Sequence, residues 1–217
     1  MQRLLCLSLA ALIWATALTV TTGCAWRGRT GSLRIRSLGE DPVTLAFRAV
    51  EACYAHDPAG GTSFWLTDVP AEDLRDGKVA YGQVVHVELL WLPKPGKTPM
   101  DRTATNASIR WVIASEGEVG VYGGAGFVMP HGSPGADSLR LTIHEASLTL
   151  QEKTPGFCDL LTPAEMTGDF TVSLDPRRAR KLRLTISQFV TDALGRSRFV
   201  HLPPVHTGAD DPQHNTS

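Results

Sequence analysis

The chain is poor in the residues that announce chemistry. It has only four cysteines in 217 residues, and no two of them stand as Cys-x-x-Cys. That spacing is what a thioredoxin-type redox pair or a zinc ribbon requires, so neither finds support. There is no excess of either charge: 21 Lys and Arg face 22 Asp and Glu, a net of −1. A nucleic-acid binder held by phosphate contacts needs a basic surface, and this composition argues against one. No Gly-x-Ser-x-Gly elbow and no His-Glu-x-x-His helix is present. Aromatic residues are 7% of the chain and charged residues 20%.

What is present is a body able to fold. Hydrophobic residues reach 42%, enough for a buried core, with 20 Gly and 14 Pro to make turns. Period-two alternation dominates. Leu33 and Ile35 alternate with Arg34 and Arg36; Leu45, Phe47, Ala49 and Cys53 share a face; Phe64 and Leu66 flank Trp65. Val85, Val87, Leu89 and Trp91 oppose His86 and Glu88. Ile109, Trp111 and Ile113 oppose Ser108 and Arg110, and Phe170, Val172 and Leu174 oppose Thr171 and Ser173. Such half-buried strands belong to antiparallel sheets. Leu139, Leu141 and Ile143 are odd-numbered whereas Ala146, Leu148 and Leu150 are even, so a bulge near His144–Ala146 is expected.

Helical signals are fewer. Residues 70–76 suggest a turn or two, and Thr162-Pro163-Ala164-Glu165 reads as a capping box. The longest helix is expected to start at Asp175-Pro176, bury Ala179, Leu182, Ile186, Phe189, Val190 and Ala193, and close at Gly195. The fold class expected is all-β: an antiparallel β-sandwich or open barrel with short helices and a C-terminal helix, in a single domain over residues 33–200. The polar, Pro-rich residues 201–217 read as a disordered tail.

The N-terminus carries the sharpest signal. Arg3 precedes an apolar run from Leu4 to Val20, and Thr21-Thr22-Gly23-Cys24 follows. A basic start, an apolar stretch and small residues describe an export signal. The segment resembles the lipobox of bacterial lipoproteins, in which a small residue precedes an invariant cysteine. Gly23 and Cys24 match; Thr21 stands where Leu is usual. The resemblance implies cleavage before Cys24, a signal peptide over residues 1–23, and acylation of the Cys24 thiol as the lipidation site, with palmitate among the chains. Residues 24–32 then serve as a tether. Ordinary signal peptidase cleavage and an uncleaved anchor remain alternatives. Ala25 is not the Asp that retains some lipoproteins in the inner membrane, which points to the outer membrane, on its periplasmic or surface face. In the body, Val121-Tyr122-Gly123-Gly124 and Thr154-Pro155-Gly156-Phe157 resemble stretches of uncharacterised bacterial lipoproteins, a likeness that brings no named family and no activity.

Removing the signal peptide leaves Cys53 and Cys158 in the body. An exported chain with an even remainder invites a disulfide, which in the chain-entropy picture adds up to about 4.7 kcal/mol for a loop near 100 residues. Two buried free thiols are the alternative. His86 and Glu88, two apart on a strand, lie on one face and are the candidate metal ligands, with no third ligand evident. Beside them stand His144-Glu145 at the parity change and His201, His206 and His214 in the tail. The glycine-rich segment Gly120–Gly126 lacks the Lys-Ser/Thr ending of a phosphate loop, and reads as a strand that another backbone approaches closely. Trp65, Tyr122 and Phe127 are candidate ligand contacts.

No cofactor is called for. The expected partners are a membrane, through the N-terminal lipid, and an envelope protein or ligand that the sequence does not identify, with no nucleic acid. The pattern favours a lipid-anchored, non-enzymatic binding or structural module. A metal-dependent or other hydrolase on His86 and Glu88, with His144 as a further candidate, or a carrier of a small ligand or glycan, are the rivals.

Overall fold

The computed structural model describes residues 31–57, 61–93 and 104–196. The expected signal peptide, Cys24, most of the expected tether, and the expected tail with His201, His206 and His214 lie outside the described residues. Alternation in the sequence becomes nine strands: β1 (Gly31–Ser37), β2 (Thr44–Arg48), β3 (Glu51–Asp57), β4 (Gly61–Thr67), β5 (Tyr81–Leu89), β6 (Ala107–Ser115), β7 (Glu118–His131), β8 (Ser138–Lys153) and β9 (Ala164–Leu174). Two helices join them, α1 (Ala71–Arg75) and the C-terminal α2 (Pro176–Leu194). Gly31 and Ser32 already pair with Phe170 and Asp169, so the sheet takes in the last two residues of the expected tether.

The strands form one mostly antiparallel sheet in the order β2-β1-β9-β3-β4-β5-β6-β7-β8, and β8 returns to pair with β9. The sheet therefore curves into a ring. One edge of β9 is shared by two strands. Residues Ala164–Phe170 of β9 pair antiparallel with β1, and Ser173 and Leu174 pair in parallel with Cys53 and Tyr54 of β3. Beyond the start of β1, β3 takes over its place.

Each strand then has an inner and an outer face. Leu33, Ile35, Phe64, Leu66, Val85, Val87, Ile109, Trp111, Tyr122, Leu141 and Phe170 fill the inside of the ring. Phe64 stacks on Tyr54 at 5.6 Å between ring centroids and meets Phe170 edge-on at 6.1 Å. The next residues along, Trp65, Val84, Val112, Ala114, Val119 and Val121, face outward and are covered by Ala179, Leu182, Ile186 and Val190 of α2. The stripe expected on α2 is the one it buries. Its ends are also as expected: Asp175 Oδ1 accepts from the Arg178 N–H at 2.9 Å, and Gly195 adopts the left-handed conformation (φ 69°) that closes the helix.

The bulge near residue 144 exists: the β8–β9 register shifts between Ile143 and Ala146. The glycines of β7 also act as expected. A Cβ on Gly124 would stand 1.8 Å from the Ser147 carbonyl oxygen of β8, and one on Gly126 2.5 Å from the Ala146 Cα. Absence of side chains lets the two strands coil tightly together.

Three expectations fail. Cys53 does not share a face with Leu45, Phe47 and Ala49: the strand is broken between Arg48 and Glu51, so Cys53 faces α2 while those three face the inside of the ring. Thr162–Glu165 does not start a helix: the Thr162–Pro163 peptide is cis, and Ala164 is the first residue of β9. Pairing on both edges of β9 outweighs a four-residue helix signal, and the Thr162 hydroxyl accepts from the Leu150 N–H instead. Trp91 does not extend the core face of β5. The strand stops at Leu89, and Trp91 is 42% exposed.

The helix-to-sheet seam gives a direct test. Ile186→Ala is expected to cost about 2–5 kcal/mol in urea unfolding, because a fully buried side chain leaves a cavity. Leu184→Ala, on the solvent side of the same helix, should change stability by less than about 0.5 kcal/mol. Equal losses would mean that α2 does not bury this stripe.

Candidate functional site

The sequence candidates separate into two places. The first is the layer beneath α2. Trp65 of β4 and His86 of β5 are register partners, and their rings stack at 3.9 Å with 19° between planes. Trp65 is 2% exposed and His86 8% exposed. Burial, reinforced by the Arg110 and Arg183 charges, pushes the His86 pKa from 6.5 down to about 3. His86 is thus a neutral packing residue under the helix. Glu88, two residues on, is exposed, so the pair shares a strand face but not an environment. Among the described residues, no group of three His, Cys, Asp or Glu side chains could hold a metal ion. Trp65 is covered by the helix and offers no open contact to a ligand.

Cys53 lies in the same layer and is a buried free thiol, whereas Cys158 is an exposed free thiol. The disulfide weighed from the cysteine count is therefore not formed in the structure. Cys53 points outward from β3 into the helix seam, and Cys158 belongs to the loop between β8 and β9 at one end of the ring. Burial, with Asp175 and Glu51 adding to it against the opposing Arg178 charge, pushes the Cys53 thiol up to about 12.

The second place is that end of the ring, which we call the mouth. The β6–β7 turn, the start of β2 and the loop before β9 surround a recess of about 260 Å³. Val43, Leu45, Ile113, Phe157, Leu160 and Leu161 supply apolar walls, with Cys158, Glu116 and Glu118 also bordering it. Tyr122 contributes to the wall from the core. Its ring is wholly buried between Trp111, at 5.2 Å, and Phe157, at 6.3 Å. Gly120 makes room for Phe157: a Cβ there would stand 2.4 Å from the ring.

One carboxylate ties the loop to the sheet. Asp159 Oδ1 accepts from the Tyr122 hydroxyl at 2.8 Å, the Leu161 N–H at 3.0 Å and the Thr162 N–H at 3.2 Å. Burial alone would raise the Asp159 pKa, but these donors hold it below the usual carboxylate range. Burial first, and then the Asp159 carboxylate, keeps Tyr122 protonated far above its ordinary range. This is a fixed donor–acceptor pair that locks the loop over the mouth.

Phe127, the remaining candidate, is buried, with its ring 6.0 Å from that of the exposed His144 across the β7–β8 bulge. Tyr122 and Phe127 lie well apart along β7, at different heights, so only Tyr122 reaches the mouth. Sequence reasoning missed Asp159, Leu160 and Leu161. No periodicity marks them, because they act from a loop. Comparison of the chain with protein-family models, with curated proteins and with solved structures finds no significant match.

Two outcomes follow from these environments. Under native, non-reducing conditions an alkylating reagent should modify Cys158 rapidly and Cys53 only after denaturation, as mass mapping would show. Failure of Cys158 to react until a reductant is added would restore the bridge. For His86, the folded state disfavours the charged form, so the unfolded chain binds more protons between pH 6.5 and about 3. Its contribution to stability is present above pH 6.5 and is lost as pH falls through that window, at up to about 1.4 kcal/mol per pH unit. In urea titrations at pH 7 and 5, His86→Phe, which keeps a ring against Trp65, should lose less stability than the parent chain. An identical loss would exclude His86 as the source.

Proposed function

We propose that the chain is a lipid-anchored bacterial envelope protein that works by binding: the Cys24 thiol holds it to a membrane, and the mouth of its ring receives a small apolar ligand. The observation that carries the binding reading is the recess walled by Val43, Leu45, Phe157, Leu160 and Leu161. Small-molecule sites are typically concave and mostly apolar, with a few fixed polar groups at the wall. Here Ser115, Glu116 and Glu118 supply the polar groups at the wall, and the Tyr122–Asp159 hydrogen bond behind it fixes the loop that carries Phe157, Leu160 and Leu161. The membrane reading rests on Gly23-Cys24 after the apolar run.

The rival hydrolase finds less support. His86 is sealed under α2 against Trp65, and Glu88 stands in solvent. The carrier reading joins the leading one, with its contacts moved from Trp65 and Phe127 to the mouth.

Both halves are testable in one strain. Labelled palmitate should enter the parent chain and not Cys24→Ala; labelling that survives the substitution overturns the anchor. For the mouth, the fluorescent probe N-phenyl-1-naphthylamine should bind the folded chain and raise its melting temperature, since a ligand of the native state alone must do so. Leu160→Asp, at a position 65% exposed, should weaken that binding about tenfold without changing the fold. Undiminished binding in this variant would place the probe elsewhere.

A further inference from the structure

The end of the ring opposite the mouth carries a different surface. The last residue of β5, Leu89, is 5% exposed and belongs to the core. The next three, Leu90, Trp91 and Leu92, are 59%, 42% and 45% exposed. Among the described residues, the other large apolar side chains in solvent are Leu38, Tyr81, Leu160 and Leu184, no two of them neighbours in sequence, which is ordinary for a protein surface. Three in sequence at one loop are not ordinary, and such patches mark an interaction site.

Strand directions fix where this tip lies. β5 begins at Tyr81, paired with Ser115 beside the mouth, and runs away from it to Leu89. β1 runs the other way. It begins at Gly31 and ends at Ser37, whose N–H donates to the carbonyl of Val43 in the mouth wall. At about 3.3 Å per residue, Gly31 stands roughly 20 Å from the mouth end of β1. The chain therefore enters the fold from the side of the Leu90–Leu92 tip. The segment from Cys24 to Thr30 spans at most about 25 Å, so an acyl chain on Cys24 is confined to that reach of Gly31.

The chemistry of the tip fits the same surface. Trp is favoured at the membrane–water boundary because its ring is apolar and its N–H is polar. The Trp91 N–H donates to the Thr105 carbonyl at 3.1 Å, which fixes the ring in its exposed position and lowers the ordering cost of binding. The sequence continues Pro93-Lys94-Pro95-Gly96-Lys97, with Asp101-Arg102 further on, so the charge that follows the tip along the chain is net positive. A positively charged stretch of sequence directly after exposed apolar side chains matches the anionic headgroups above a hydrocarbon layer.

We propose that Leu90, Trp91 and Leu92 form a membrane-contact tip that seats in the interfacial layer of an anionic phospholipid bilayer, on the side of the acylated N-terminus. The orientation rests on the Cys24 anchor; the affinity of the tip for lipid does not. With the acyl chain and the tip on one side, the mouth opens away from the bilayer.

The test uses the chain from residue 24 onward with Cys24→Ser, which has no lipid, and vesicles of phosphatidylethanolamine and phosphatidylglycerol carrying brominated acyl chains. The chain should partition onto the vesicles, and bromine should quench part of its tryptophan fluorescence. That part should vanish in Trp91→Phe, leaving any residual quenching to Trp26. Leu90→Ser combined with Leu92→Ser, both at exposed positions, should weaken partitioning about tenfold or more with an unchanged melting temperature. No partitioning, partitioning that ignores the serine pair, or self-association that depends on the tip in place of lipid binding would each overturn the proposal. Lipid binding that persists while palmitate labelling fails would overturn the anchor alone.

Discussion

Everything in this molecule depends on the double pairing of β9. One of its edges meets β8 along its length, and its other edge is divided between β1 and β3. Without that division the sheet would be an open, twisted array with long edges exposed to other chains. With it, the ring closes and gains an inside. The inside is not a vessel: Trp111, Tyr122, Tyr54, Phe64 and Phe170 fill it. A filled ring leaves its ends and its outer face as the places where chemistry or contact can occur, and α2 covers the outer face of β3 to β7. The two ends are where the proposed ligand and the proposed membrane contact are placed.

Closure also explains why several residues with suggestive side chains are silent. His86 and Trp65 point outward, but the helix arrives over them and removes them from solvent. An imidazole there is useful only as a neutral ring, since charging it under the helix costs its hydration and sets it against the Arg110 and Arg183 charges. Cys53 is held as a thiol by the same burial. By contrast, Asp159 lies at the end of the ring, where three donors reach it, and it keeps its charge while fixing a loop.

Much of the fold was legible because period two is a local signal. Leu33 and Ile35, Val85 and Val87, and Ile109 and Trp111 each state which face is buried, and the structure agrees. The α2 stripe and its caps were legible for the same reason. What the sequence did not show was every feature made by partners far apart in the chain. Thr162-Pro163-Ala164-Glu165 has a helical signature that loses to pairing with β1, a strand from the opposite end of the domain. Trp91 continues an alternation that the strand itself does not. Trp65 alternates correctly outward, yet whether outward means solvent or helix depends on where α2 docks. The mouth is the extreme case, since Val43, Ile113 and Leu161 come from three separate segments and no spacing joins them.

The two ends now differ in a way that a closed ring makes consequential. At one end the apolar side chains are recessed, walled and backed by a hydrogen-bonded pair, a form suited to a molecule smaller than the opening. At the other, Leu90, Trp91 and Leu92 project into solvent and lead into a positively charged stretch of sequence, a form suited to a surface larger than the protein. Concave and convex apolar groups do not compete for one partner. Because β1 and β5 run in opposite directions, the N-terminal approach and the projecting tip fall on one side and the recess on the other. Under the two proposals together, a ligand of the recess would arrive from the aqueous compartment and not from the bilayer that the tip contacts.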